Sequence, residues 1–379
     1  MKQTVRSLEV DMIRLAALIG ICMVNVPFMA LPIDTIFYPA VGFSNQITAF
    51  TIESLFQFKF FILFSFIFGW GAAIQQQSAL AKGKTFSHSY LRRLLGLIVL
   101  GALHAILVFS GDILLLYGLV GLLLWLVRDW TIKALLTLAI CMIPLSMISL
   151  TGLVLLAETL ITQASPEVAT SLAGGYLEAT MVRLTDWPTT LLLLIFLQGP
   201  IVFAAFATGF AAGKSQFFEI NNQSFNKFAN TLPWLILIAL PLNLLYAMVM
   251  GGFIGDNNEL LALFSMVSIA IGAPALAAVY LFALVKLARC ISLPQLLRLA
   301  GQNSLSVYVL QGVLSGFVFG SYGLGYYNQF EPAQLSLISL SIAISTILAI
   351  GLFAMKFGKG PLEPILRHFS RGKDNTNLS

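Results

Sequence analysis

Ten separate stretches of this chain are apolar for long enough to cross a lipid bilayer. They are 12–31, 53–75, 91–110, 112–128, 134–156, 188–213, 231–253, 260–285, 303–320 and 335–355. The hydrocarbon core is roughly 30 Å thick and a helix rises 1.5 Å per residue, so one crossing takes ~20 residues. Lipid offers the backbone no hydrogen-bond partner, so only helices and closed barrels cross it. Long, uniformly apolar runs are not the alternating strands of a barrel. The expected fold is therefore all-α: a polytopic helical membrane protein of about ten transmembrane helices, forming a single bundle domain over residues 1–379. Composition agrees, because only 10% of the residues are charged, whereas a soluble domain carries about a quarter.

Lys and Arg set the expected orientation. With the N-terminus inside, 19 of the 21 fall in inner segments; Arg183 lies outside and Lys59 within a span. Positive charge concentrates on the cytoplasmic side, so both termini are expected in the cytoplasm and the chain in a bacterial inner membrane. The net charge of +5 is then orientation charge in contact with membrane lipid, and no nucleic-acid partner is expected. Cys22, Cys141 and Cys290 show no pairing or zinc spacing, so neither a disulfide framework nor a metal site is expected. Ser110-Gly111-Asp112 reads as the outer turn of a hairpin between the third and fourth spans. The outer loop 157–187 reads as a connector with aromatic anchors, or as an interfacial helix. Residues 286–302 read as an amphipathic surface helix, and 356–379 as a cytoplasmic tail. Gly209 and Gly213 are expected at close helix contacts. A homodimer is compatible with a bundle of this kind.

A polar group inside a span costs several kcal/mol unless it is paired, so it tends to face the bundle interior or a cavity. Counted from the span ends, Asn25, Lys59 and His104 all lie roughly 9 Å below the outer boundary. Three polar groups from three helices at one depth make a candidate catalytic site. Neutral imidazole is a competent general base near neutral pH. Asp112 would fix the His104 tautomer if the turn folds its carboxylate back; it is also well placed as the N-cap of the next helix. Asn25 or Lys59 would stabilise an oxyanion. Glu53, at the mouth of the second span, and Gln311, mid-membrane, are expected to line the substrate path. At the inner face Arg14, Arg92 and Arg93 would hold an anionic ligand. Plainer readings are interhelical hydrogen bonding for His104 and Asn25, a Lys59–Glu53 pair, and local ion pairs such as Asp11–Arg14 and Glu363–Arg367.

Several segments occur together in order: "LEVDMIRLAALIGICMVN", "KFFILFSFIFGWG", "RRLLGLIVLGALHAILVFSGDILLLYGLVGL", "GQNSLSVYVLQG" and "GPLEPILRH". In these the chain resembles the YeiB-like family of bacterial inner-membrane proteins (domain of unknown function four-eighteen). More distantly it is similar to the transmembrane acyltransferases, including the lysosomal heparan glucosaminide acetyltransferase. That resemblance implies transfer of an acyl group from cytosolic acyl-CoA to a sugar-like hydroxyl or amine on the far side. Asn25 matches the Asn ending the first-helix motif of those acetyltransferases. Their essential His follows in the first outer loop, but "VPFMALPIDTIFYPAVGFSNQ" holds none, so the role would fall to His104. Leu15 follows Arg14 where Gly is usual, and Pro364 stands where Trp is usual. The rival expectation is a small-solute transporter with a His104/Asp112 proton relay. The sequence shows no evident internal repeat in its favour.

Overall fold

The computed structural model describes residues 7–32, 40–162, 174–255 and 258–371. Thirteen helices account for nearly all of them. They are α1 (Leu8–Ala30), α2 (Phe43–Leu55), α3 (Lys59–Leu80), α4 (Phe86–Leu107), α5 (Ile113–Leu126), α6 (Ile132–Thr162) and α7 (Tyr176–Lys214). The remainder are α8 (Gln223–Met250), α9 (Glu259–Cys290), α10 (Gln295–Gln302), α11 (Ser304–Phe319), α12 (Pro332–Phe357) and α13 (Glu363–Arg371). No strand occurs among the described residues. Each of the ten apolar runs has become helix. Eight segments are long and apolar enough to cross a membrane, with α2 and α3 forming one of them. The protein is an all-α, multi-pass membrane protein.

The other two apolar helices, α5 with 14 residues and α11 with 16, are short for a crossing. At 1.5 Å per residue they span about 21 and 24 Å. Nine residues of α5 are buried, while Leu122, Leu123 and Leu126 toward its C-terminal end are exposed, as are Val313 and Phe317 of α11. Ile140, Ile148 and Leu155 of α6 are likewise exposed.

Small residues bring the central helices together. A side chain at Gly69 or Gly209 would collide with the backbone of Phe206 or Phe66, and one at Gly213 would collide with Ala73. Glycine therefore lets α3 and α7 approach backbone to backbone, as membrane helices do where no hydrophobic force drives them together.

Two expected segments differ. The outer loop is shorter than 157–187: α6 continues to Thr162 and α7 starts at Tyr176, while 163–173 lie outside the described residues. Tyr176, Met181 and Trp187 thus belong to the N-terminal part of a 39-residue helix. The surface helix is also shorter than 286–302. Residues 286–290 complete α9, and only 295–302 form α10. In the tail, Glu363 begins α13. Its carboxylate accepts from the Ser306 backbone N–H and the Ser306 hydroxyl, which ties α13 to the start of α11.

Candidate functional site

The turn between α4 and α5 builds the site. At the end of α4, the Val108 and Phe109 amides both donate to the His104 carbonyl at 2.9 Å. Arg183 reaches in from α7, its Nε donating to Ile106 O at 2.8 Å and its Nη2 to Leu107 O at 3.2 Å. The Tyr176 hydroxyl also donates to Leu107 O, at 3.1 Å. A buried guanidinium thus satisfies carbonyls that every helix leaves open at its C-terminus. Arg183 thus holds down the chain just beyond His104.

Asp112 follows as the N-cap of α5. Its Oδ1 accepts from the Leu115 amide at 2.9 Å, and its Oδ2 lies 2.7 Å from His104 Nδ1. The Tyr308 hydroxyl of α11 donates to the same Oδ2 at 3.3 Å. Gly101 makes this fold-back feasible, since a Cβ there would stand 2.9 Å from Asp112 Oδ1. Both members of the pair are buried, with His104 4% and Asp112 1% exposed. A carboxylate accepting at Nδ1 selects the Nδ1–H tautomer and leaves the Nε2 lone pair pointing the other way. There Nε2 has no hydrogen-bond partner among the described residues. It faces Gly312, where a Cβ would stand 2.6 Å away.

His104 lines a cavity of about 10 Å³ shared with Cys22, Asn25, Tyr308, Gln311, Gly312 and Ser315, close to the least space that holds one water. Gln311 donates to Leu18 O at 3.3 Å, and its Oε1 is buried without a partner among the described residues.

A second, larger cavity opens at the other end of α4. Its volume is about 880 Å³, and Arg14, Lys82, Lys84, His88 and Arg93 line it together with Asp11. Asp11 lies 4.0 Å from Arg14 and accepts from Gln302 at 2.8 Å. The Arg93 guanidinium lies over the Phe68 ring at 4.9 Å and donates to Gln75 Oε1 at 3.2 Å. Arg93 and His104 are eleven residues apart on one helix, about 16 Å along its axis.

Residues 212–373 match the model of a family described as "Protein of unknown function (DUF418)". The "Uncharacterized protein YxaH" of Bacillus subtilis is 26% identical over 386 positions, which cover 94% of this chain and 92% of that protein. The "Uncharacterized protein YeiB" of Escherichia coli is 36% identical over 129 positions, 33% of this chain and 32% of that one. The chain is YeiB-like. No solved structure matches it. Within this YeiB-like chain the family model covers Tyr308, Gln311 and Gly312 but stops short of His104 and Asp112.

The structure brings His104, Asp112, Asn25 and Gln311 to one place. It does not bring Lys59 there. Lys59 is fully buried, and its ammonium donates to the Glu53 carbonyl at 2.6 Å, at the C-terminal end of α2. The cause is a break in the second apolar run, where Phe58 takes a left-handed conformation with φ 67° between α2 and α3. Glu53 stays with Lys59, its Oε2 buried and without a partner among the described residues. Neither residue lines the His104 cavity. Arg14 and Arg93 meet at the inner cavity, but Arg92 does not, because its Nε donates to Phe369 O of α13 at 2.7 Å. Sequence reasoning missed Tyr308 and Arg183. Tyr308 stands one helical turn before Gln311 in "NSLSVYVLQG", so the face assigned to Gln311 already contained it.

Proposed function

We propose that this YeiB-like chain is an inner-membrane acyltransferase. It would take an acyl group from cytosolic acyl-CoA and pass it to an extracytoplasmic hydroxyl or amine of sugar-like character. The observation that carries this reading is the His104 imidazole, with Nδ1 against Asp112 and Nε2 unpartnered among the described residues, lining a cavity with Asn25 and Gln311. The basic cavity at the opposite end of α4 supports it. Arg14, Arg93 and Lys82 there suit the phosphates of coenzyme A, and the ~16 Å to His104 is of the order of an extended pantetheine arm.

The chemistry follows from the geometry. His104 Nε2 takes the proton of the acceptor hydroxyl or amine as that group attacks the thioester carbonyl. Asp112 stabilises the resulting imidazolium through Nδ1. The Asn25 side-chain amide, with the second N–H of Gln311 beside the one given to Leu18 O, would be the donor to the tetrahedral oxyanion. Collapse of the intermediate breaks the C–S bond, and the proton on Nε2 passes to the departing thiolate. Acyl-CoA is a substrate here, and no step calls for a metal.

The test uses the purified full-length chain with an acyl-CoA series. Acyl-CoA binding, and thiol release that depends on an added amino-sugar acceptor, are expected. His104→Gln should retain binding and lose release. No affinity for any acyl-CoA in the wild-type chain would end the reading. The break at Phe58, with Lys59 and Glu53 beside it, favours a second reading as a small-solute transporter, since broken helices line many transport sites. Uptake into proteoliposomes without an acyl donor would decide for it.

A further inference from the structure

α4 and α11 run the same way through the bundle. At their first ends both meet α13: Gly96 of α4 faces Leu366 and Phe369, and Glu363 accepts from the Ser306 amide of α11. At their far ends both meet the start of α7. The Tyr176 hydroxyl donates to Leu107 O at 3.1 Å, its ring meets that of Tyr322 just past α11 at 5.0 Å, and the Ser321 hydroxyl donates to Gly174 O. Between these ends the two helices touch at Gly312, where a Cβ would stand 2.6 Å from His104 Nε2 and 3.0 Å from Val108 Cγ1.

That contact is a boundary. A helix turns about 100° per residue. Around α11, Tyr308, Gln311 and Ser315 of the His104 cavity therefore lie to one side of Gly312, and Val313 and Phe317 to the other. Around α4, Phe109 of the cavity lies to one side of His104, and Leu103 and Leu107 to the other. Because the helices run the same way, Leu103, Leu107, Val313 and Phe317 fall on the same side of the seam. All four are exposed. Apolar exposure is ordinary on a lipid-facing helix, as at Ile140 and Ile148 of α6. What sets this seam apart is what stands behind it. His104 Nε2 and Gln311 Oε1 are both buried without a partner among the described residues, and α11 places no side chain at Gly312 between them and the exposed stripe.

A space of about 10 Å³ takes one hydroxyl or amine and no more, so the body of an acceptor stays outside the cavity. Approach from the outer surface has to break the bonds that tie the start of α7 to Leu107 O and Ser321. Approach through the seam meets side chains alone. We propose that the acceptor is lipid-borne: its hydrocarbon tail lies in the outer leaflet along Leu103, Leu107, Val313 and Phe317, and its polar head reaches sideways past Gly312 to Nε2. The reaction at the head rests on the acyl-transfer reading; the amphiphile site does not.

The probe is dodecyl glucosaminide, an amino-sugar head on a hydrocarbon chain, carrying a diazirine in that chain. It is added to the full-length protein in vesicles of phosphatidylethanolamine and phosphatidylglycerol, irradiated, and located by mass spectrometry. Peptides holding residues 103–107 and 313–317 should carry about tenfold more label than the α6 peptide with Ile140 and Ile148. Excess unlabelled dodecyl glucosaminide should remove that difference. Val313→Trp, which adds bulk on the lipid side of the seam, should bring labelling of 103–107 down to the α6 level, whereas Ile148→Trp should not. Should Val313→Trp fail to fold, Leu107→Trp with labelling of 313–317 stands in for it. Equal labelling of the seam and α6, or seam labelling that the unlabelled compound leaves intact, overturns the site. With acyl-CoA present, Val313→Trp should also cut thiol release to dodecyl glucosaminide about tenfold; release at the parent rate overturns entry through the seam. Protected seam labelling without thiol release to any acceptor keeps the amphiphile site and loses the acyltransferase. Release to free glucosamine with no seam labelling does the reverse.

Discussion

A side chain at Gly312 and the Nε2 of His104 cannot occupy the same space: a Cβ would stand 2.6 Å from that nitrogen and 3.0 Å from Val108 Cγ1. Gly312→Ala therefore either pushes the ring off Asp112 or separates α11 from α4. Overpacking of this kind costs about 1–3 kcal/mol. The expected result is a modest fall in Tm with a much larger loss of acceptor-dependent thiol release. An alanine variant of full activity would mean that the ring does not work from this position.

Asp112 has two duties, and one substitution separates them. Its Oδ1 caps α5 at the Leu115 amide, while its Oδ2 orients His104. Asn caps about as well as Asp, whereas Ala costs about 1 kcal/mol at such a position. Asp112→Asn should thus keep Tm near that of the wild type. It should also lower the transfer rate by the ~10²–10⁴ that general-base catalysis is worth, since an amide cannot stabilise an imidazolium. If Asp112→Asn transfers normally and Asp112→Ala is merely less stable, Asp112 is a cap alone.

At the inner cavity the two neighbouring arginines should behave differently. Arg93 lines the cavity, and Arg92 is committed to Phe369 O on α13. A charge-assisted hydrogen bond is worth about 1.5–3 kcal/mol, so Arg93→Ala should weaken acyl-CoA binding about tenfold or more. Arg92→Ala should leave that affinity nearly unchanged and lower Tm through a loosened α13. Calorimetric titration at two salt concentrations checks both, since affinity that rests on phosphate contacts falls as salt rises. Equal losses in the two variants would count against the cavity as the ligand site.

How far the sequence revealed this arrangement depends on dimension. Lipid demands long apolar runs, so the helical nature of all ten runs was legible, although eight segments are long enough to cross and the second run is split at Phe58. Position along a run is one coordinate, however, and azimuth is another. Asn25, Lys59 and His104 were expected at one depth, but helix rotation decides which of them meet, and rotation is set by packing at positions such as Gly101 and Gly312. The break at Phe58 lies in "LFQFKFFIL", which carries neither Gly nor Pro to announce a left-handed residue. That break turns Lys59 back to the end of α2 and away from the imidazole. Arg183 was legible as a lone outer charge, but its work on the α4 carbonyls depends on where α7 lies.

Lys59 and Glu53 supply the last prediction. The ammonium is fully buried and donates to a main-chain carbonyl at the end of α2. The same carbonyl-rich end receives the Tyr280 hydroxyl at Leu55 O, 3.1 Å away. Lys59 thus closes a helix break rather than facing the His104 cavity. Lys59 and Glu53 form no side-chain ion pair among the described residues; the ammonium's partner is the Glu53 main-chain carbonyl, and leaving that buried acceptor unmatched costs about 1–3 kcal/mol. Lys59→Met should lower stability by that order, and Lys59→Met with Glu53→Gln should recover little of it, because the carbonyl stays unmatched. A double-mutant cycle on thermal or chemical unfolding measures the coupling. Transfer activity per folded molecule should stay close to wild type in the double variant. If both Lys59 variants fold as well as the parent yet transfer nothing, Lys59 takes part in the reaction and the division into two polar clusters is wrong.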